Sequence, residues 1–159
     1  MNLESTLEDL EAQGYFASQI ETNEVGSNTS RLVRITFSSE LPDKYLASPI
    51  LGSNFIGGFL ANQSNSAWHA VNLSGISKIE TLSGQNILET KATLLEVVER
   101  HLIQVALEIV LFKSRVFGQV TAIDGNCLRF LTQDFRLLWI PESSICELVV
   151  ENLSKHFKL

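Results

Sequence analysis

The chain holds three histidines, His69, His101 and His156, and two cysteines, Cys127 and Cys146. Metal binding needs such donors at short, paired spacings, and none of these shares one with a carboxylate or a second donor. The two cysteines lack a CxxC spacing and read as small core residues. His69 follows Trp68 in an alternating run, so one of the two faces outward, and His69 reads as a partly exposed structural imidazole. No Gly-x-Ser-x-Gly, phosphate-binding glycine loop or zinc-hydrolase helix motif occurs, and no helix signal follows Gly57-Gly58. The expectation is a non-enzymatic protein with no cofactor and no metal. The remaining candidates are contact residues for RNA or a partner. Lys113, Arg115, Arg129 and Arg136 surround hairpin turns and would form a basic rim, with Asn126 as a base contact and Trp139 as a stacking or interface ring. Asp124, Asp134 and Glu142 lie among them in sequence, so a mixed, solvated face is the preferred reading over a basic rim.

These residues need a scaffold, and composition bounds it. The 159 residues are 45% hydrophobic and 19% charged, which excludes disorder and suits one core or two small ones. The net charge of −6 argues against a general binder of polyanions. Its position qualifies that argument. Glu4, Glu8, Asp9, Glu11, Glu21 and Glu24 occupy a first stretch, residues 1 to 30, that has no base, and acids and bases balance in the rest. Such an arm would shield the basic rim. The longest apolar run, Leu102 to Phe112, contains Gln104 and Glu108 and falls short of the roughly 18 residues of a membrane span. The N-terminus lacks the basic and apolar regions of a signal peptide, so a cytoplasmic protein is expected, with no membrane partner.

Along the chain, Leu3, Leu7 and Leu10 predict a short helix over 3–13. Alternation predicts strands at Leu32 to Phe37, Lys44 to Leu51, Phe55 to Ala61, Ala67 to Leu73 and Ser77 to Leu82, with Pro49 demanding an edge or a bulge. After a linker at 83–86, a helix is expected over Leu88 to His101, from the spacing of Leu88, Ala92, Leu95, Val98 and Leu102. Val105 to Phe112 is open between helix and strand, with strand preferred. Further strands follow at Val116 to Ile123, Cys127 to Gln133, Arg136 to Ile140 and Ile145 to Val150. Asp124-Gly125-Asn126 supplies a hairpin turn.

Both halves thus parse as a helix followed by five short strands. Leu51 to Ile56 lies over Ile123 to Leu128 at an offset of 72, and Val71 to Ile76 over Ile140 to Ile145 at 69. Asn54 matches Asn126, Ser74 matches Ser143 and Ile76 matches Ile145. The second half resembles Sm-like proteins, the family of the bacterial RNA chaperone and of the eukaryotic Sm rings. The residues that carry the likeness are Gly118-Gln119-Val120 running to Ile123-Asp124, and Ile140-Pro141-Glu142-Ser143-Ser144-Ile145 before the last strand. The first half is similar through Val71 to Ile76 and the strand order. The resemblance implies a helix followed by a five-stranded bent barrel. It also implies edge strands that pair with a neighbour. RNA-binding members carry an Asn a few residues beyond the Asp and a basic element before the last strand. Here Asn126 follows Asp124 by two, and Leu137-Leu138-Trp139 replaces the basic element.

The expected fold is mainly β with two short helices. It comprises two tandem five-stranded Sm-like or SH3-like barrels, at 1–82 and 87–159, each preceded by a helix. The expected function is an interaction or assembly module whose edges, such as Leu137 to Ile140 and Cys146 to Val150, either pair the two halves with each other or bind a protein partner or a second copy, with a homo-oligomer preferred. RNA binding is the alternative.

Overall fold

The computed structural model describes residues 32–61, 67–82 and 87–151. The expected helix at 3–13, the hairpin turn at 62–66, the linker at 83–86 and the C-terminal tail lie outside them. Among the described residues eleven strands form one sheet: β1 (Leu32–Phe37), β2 (Lys44–Leu51), β3 (Phe55–Leu60), β4 (Trp68–Asn72), β5 (Ile76–Thr81), β6 (Leu88–Glu89), β7 (Ala106–Val110), β8 (Arg115–Asp124), β9 (Cys127–Thr132), β10 (Leu137–Pro141) and β11 (Glu147–Val150). Single-turn 3-10 helices at Leu73–Gly75 and Glu142–Ser144 lead into β5 and β11.

The strands lie in the order β10-β9-β8-β7-β11-β4-β3-β2-β1-β5, with β6 parallel to β2 off this path. The main-path pairings are antiparallel. Within β1–β5 the order is 5-1-2-3-4, and β7–β11 follow the same order counted from β7. The bounds of β3 recur in β9 at an offset of 72. Those of β4 recur in β10, and those of the first 3-10 turn in the second, at 69. The expected pair of separately closed barrels is corrected here. The pairing path is open, and β4 and β11 join the two stretches into one sheet with β10 and β5 at its ends. An unpaired edge is costly, and these two edges satisfy each other.

Local chemistry explains the strand features. Pro49 cannot donate to a ladder, and the β2–β3 register shifts between Ala47 and Ile50. Ser48, at φ 52°, forms that bulge. The turn between β8 and β9 is Gly125-Asn126, with Gly125 at φ 61°. Gly118 matters for space instead. A Cβ there would sit 2.0 Å from the Leu131 carbonyl oxygen and 2.8 Å from Thr132 Cα, both backbone atoms of β9.

The second helix is shorter than expected. Leu88–Glu89 is a strand beside β2, and α1 spans Leu94–His101. Thr93 stops the helix from extending backwards. It is extended at φ −84° and ψ 165°, and it forms a capping box with Glu96. Asn54 Oδ1 accepts the Leu94 N–H at 2.9 Å, and Glu142 Oε2 accepts the Leu95 N–H at 3.1 Å. The orphan donors of the first turn are therefore met from both stretches of the sheet. Val105 to Phe112 resolves as strand over Ala106–Val110.

The larger core crosses between the stretches. Phe55, Phe59 and Trp68 from β3 and β4 pack with Leu94, Leu95 and Val98 of α1 and with Leu107, Ile109, Phe130 and Leu148. Val33, Ile35, Leu46, Ile56 and Val71 form a smaller cluster. Burying this shared apolar surface removes it from water and ties the two stretches together.

The Gly118 geometry gives a test. Gly118→Ala forces β8 and β9 apart and should cost about 2 kcal/mol by urea denaturation. Gly125→Asn should cost well under half as much, because Asn tolerates positive φ and nothing lies within 4 Å of that position. Equal losses would refute the assigned crowding.

Candidate functional site

The candidate contact residues fall on three separate turns. Lys113 and Arg115 lie at the start of β8, whereas Asn126 and Arg129 lie beyond its other end, ten residues along. Arg136 sits at the β9–β10 turn. Each arginine has an acid. Arg115 Nη1 donates to Glu108 at 3.1 Å, Arg129 Nε to Asp124 at 3.0 Å, and Arg136 Nε to Asp134 at 3.0 Å. The Arg129 hydrogen bond holds the Asp124 carboxyl below its ordinary range, helped by Trp139. Thr132 and then Arg136 do the same for Asp134. Lys113 lies over the Phe112 ring, 5.6 Å from its centre. Asn126 is engaged through its backbone carbonyl, which accepts the Glu142 N–H at 2.9 Å. The residues read as a basic rim are thus local ion pairs on a mixed face.

Trp139 and Arg129 do come together. The guanidinium lies 5.7 Å from the centre of the Trp139 ring, and Trp139 Nε1 donates to Asp124 at 3.2 Å. Trp139 stands opposite Arg129 in the β9–β10 register and is 54% exposed. Phe117, Phe135 and Leu137 are exposed on the same stretch of sheet. Phe117, Leu131 and Phe135 line a cavity of about 680 Å³ together with Glu108 and Glu151. A second cavity of about 780 Å³ lies where β4 meets β11 and takes in Leu41, Phe112, Lys113 and Arg115.

The structure also assembles a cluster that sequence spacing does not indicate. Lys44 of β2, His69 of β4 and Glu147 of β11 meet across the junction of the two stretches. Glu147 Oε1 accepts from Lys44 Nζ and lies 2.5 Å from His69 Nδ1. A carboxylate cannot donate, so the proton at that contact belongs on Nδ1. The 3.2 Å between Lys44 Nζ and His69 Nδ1 is then an approach of two donors sharing one acceptor. His69 is 8% exposed and Trp68 is fully buried, so neither faces outward. The expected partial exposure fails because both faces of β4 are covered: Trp68 belongs to the larger core, and Lys44 and Glu147 close over His69. Burial pushes the Glu147 carboxyl up, but His69 and Lys44 outweigh it and leave it below its ordinary range. Of the triad, Glu147 alone lines one of the two cavities. The cluster ties Lys44 of β2 to the β4–β11 seam through side chains. The signal for it was the pairing of β4 with β11, which local periodicity does not encode.

Of the two edges named, Cys146 to Val150 is used up between the two stretches, one of the outcomes expected for it, since β11 pairs with β4 on one side and β7 on the other. Leu137 to Ile140, in β10, ends the sheet. Among the described residues no group of three or more His, Cys, Asp or Glu is placed to hold a metal, and no helix is long and apolar enough to cross a membrane. No protein-family model and no curated protein matches the chain.

The triad predicts a pH dependence. A carboxyl depressed in the folded state stabilises fully above its unfolded value, and the contribution vanishes as pH falls through the folded value. Glu147→Gln should therefore cost about 3 kcal/mol at neutral pH, because it strands the Lys44 charge. The gap to the native chain should shrink as the solution is acidified below the ordinary carboxylate range. A pH-independent gap in urea denaturation would refute this role.

Proposed function

We propose that this protein is a non-enzymatic assembly module: a duplicated, Sm-like strand unit that acts through its sheet edges. The single observation that carries the reading is the β4–β11 pairing. It is an edge-to-edge junction between two stretches of equal strand order, and among the described residues it leaves one unpaired edge at each end. Further correspondence supports duplication. The Leu73 N–H donates to the Asn54 carbonyl at 3.1 Å, and the Glu142 N–H to the Asn126 carbonyl at 2.9 Å, the same bond at matched positions. Edge strands recognise partners by adding a strand, with main-chain bonds giving affinity and side chains giving choice. The partner on this reading is a second copy or another protein with an open edge. Light scattering on the whole chain at tens to hundreds of micromolar should give a mass above that of one chain. A monomeric mass throughout, with no partner strand bound, defeats the reading.

RNA binding is the second reading, favoured by one observation, the exposed Trp139 ring beneath Arg129. Against it, a phosphate must break an existing ion pair to reach Arg115, Arg129 or Arg136. Filter binding to poly(U) and poly(A) at low salt should show no retention at protein concentrations on the order of tens of micromolar. Retention that falls with salt and is lost in Trp139→Ala would reverse the preference.

A further inference from the structure

The two ends of the sheet differ in chemistry. β5 (ISKIET) carries Lys78 and Glu80, charges of the kind that discourage edge pairing. β10 (LLWIP) carries no charge. A continuous apolar run is the signature of a strand covered on both faces and flanked on both sides. Its matched strand β4 has that setting, and Trp68, His69, Ala70 and Val71 are all buried. In β10, Leu137 and Trp139 are 47% and 54% exposed.

The hydrogen-bond phase of β10 can be read from its flanks. The Thr132 N–H donates to the Arg136 carbonyl, and the Glu142 N–H to the Asn126 carbonyl. The β9–β10 register has no shift, and bonded pairs alternate along an antiparallel ladder. Residues 136, 138, 140 and 142 therefore turn their backbone groups to β9. Leu137, Trp139 and Pro141 turn theirs to the open side. Pro141 has no N–H, and its position there leaves no donor stranded.

We infer that β10 is a self-complementary edge that pairs antiparallel with β10 of a second copy across a two-fold axis at Trp139. This rests on the edge-pairing reading above and commits it to one edge and one partner. Full overlap of the five-residue strand sets Trp139 against Trp139 and Leu137 against Pro141. Two hydrogen bonds form between the central pair. Leu137 of each copy donates one more to the Pro141 carbonyl of the other. The side chains at Leu137, Trp139 and Pro141 share one face, so the pairing covers the exposed apolar surface. Arg129 and Asp124 enter already paired, and no unbalanced charge is desolvated. Head-to-tail pairing of β5 with β10, copying the β4–β11 register, fares worse. It places Lys78 where Glu147 sits, and Leu138 and Val116 where His69 and Lys44 sit. A lysine would then face apolar neighbours in place of its salt bridge.

Cross-linking separates the alternatives. In a Cys127→Ser, Cys146→Ser background, Trp139→Cys is oxidised with copper phenanthroline. Opposed Cα atoms in a bonded antiparallel pair lie roughly 5.5 Å apart, within disulfide reach. The expected result is a covalent Trp139→Cys homodimer, and, in an equal mixture with a size-tagged Ile79→Cys chain, no heterodimer of the two. Light scattering should show a dimer that Leu137→Lys converts to monomer, halving the mass, while Thr81→Lys leaves it intact. A cross-link only between positions 139 and 79, or a larger assembly broken by Thr81→Lys, overturns the two-fold pairing and keeps edge assembly. No cross-link of either kind and a monomeric mass overturn both.

Discussion

The pairing of β4 with β11 is the constraint on which the rest depends. A short, strongly bent strand set leaves two edges bare, and bare backbone donors and acceptors cost free energy wherever water is excluded. Here one edge of each stretch is spent on the other. Four register positions, from Glu147 against Val71 to Val150 against Trp68, convert two marginal sheets into one. Everything charged or polar at that seam must then be accounted for. His69, Lys44 and Glu147 answer for one another, and Asn72 Nδ2 reaches the Ile145 carbonyl at 2.9 Å. A lone carboxylate at that depth would protonate or pull water in. With two donors on one oxygen it stays ionised.

The helix carries the same constraint into the third dimension. Its first-turn N–H groups are met by Thr93, by Asn54 from the β2–β3 turn and by Glu142 from the turn before β11. Those two turns are held by backbone bonds of their own. Beyond the local box of Thr93 and Glu96, the Leu94 and Leu95 N–H groups therefore find their acceptors only when both stretches are in place. Beneath this cap, Trp68 lies against Gly57, where any Cβ would come within 2.4 Å of the indole. The indole belongs to the larger core, which also takes in residues of α1 and β11. Separate folding of the two stretches would leave part of that shared core wet.

The strands were legible because their signals are local. Val33 and Ile35 alternate with Arg34 and Thr36, Pro49 marks a bulge, and Asp-Gly-Asn closes a hairpin, so most strand limits agree within a residue or two. The helix start was misplaced because Leu88 happens to fit a helical period. The box formed by Thr93 and Glu96 stood in the sequence and was the better guide. The matched offsets also anticipated strand bounds, although closed barrels did not follow from them. The triad was not legible at all. Its members come from β2, β4 and β11, and only long-range pairing brings them together. The arginine pairings were legible in part. Asp124 and Asp134 lie near Arg129 and Arg136 in sequence and do pair with them, whereas Glu108 meets Arg115 only across the β7–β8 ladder.

A comparison of matched positions separates the seam from the sheet end. Asn72, at the end of β4, donates its backbone N–H to the Cys146 carbonyl at 3.0 Å and its side-chain amide to Ile145. The residue at its place in β10 is Pro141, which can do neither. His69 corresponds to Leu138 and Glu147 to Lys78. The seam therefore holds a set of polar bonds that the outer edges lack, at the cost of a buried charge that must be paired. Propagation through the same contact would need these residues in both places. Among the described residues they stand only where the two stretches meet, so the seam's polar set belongs to the internal junction. The uncharged β10 edge has to be read on its own chemistry.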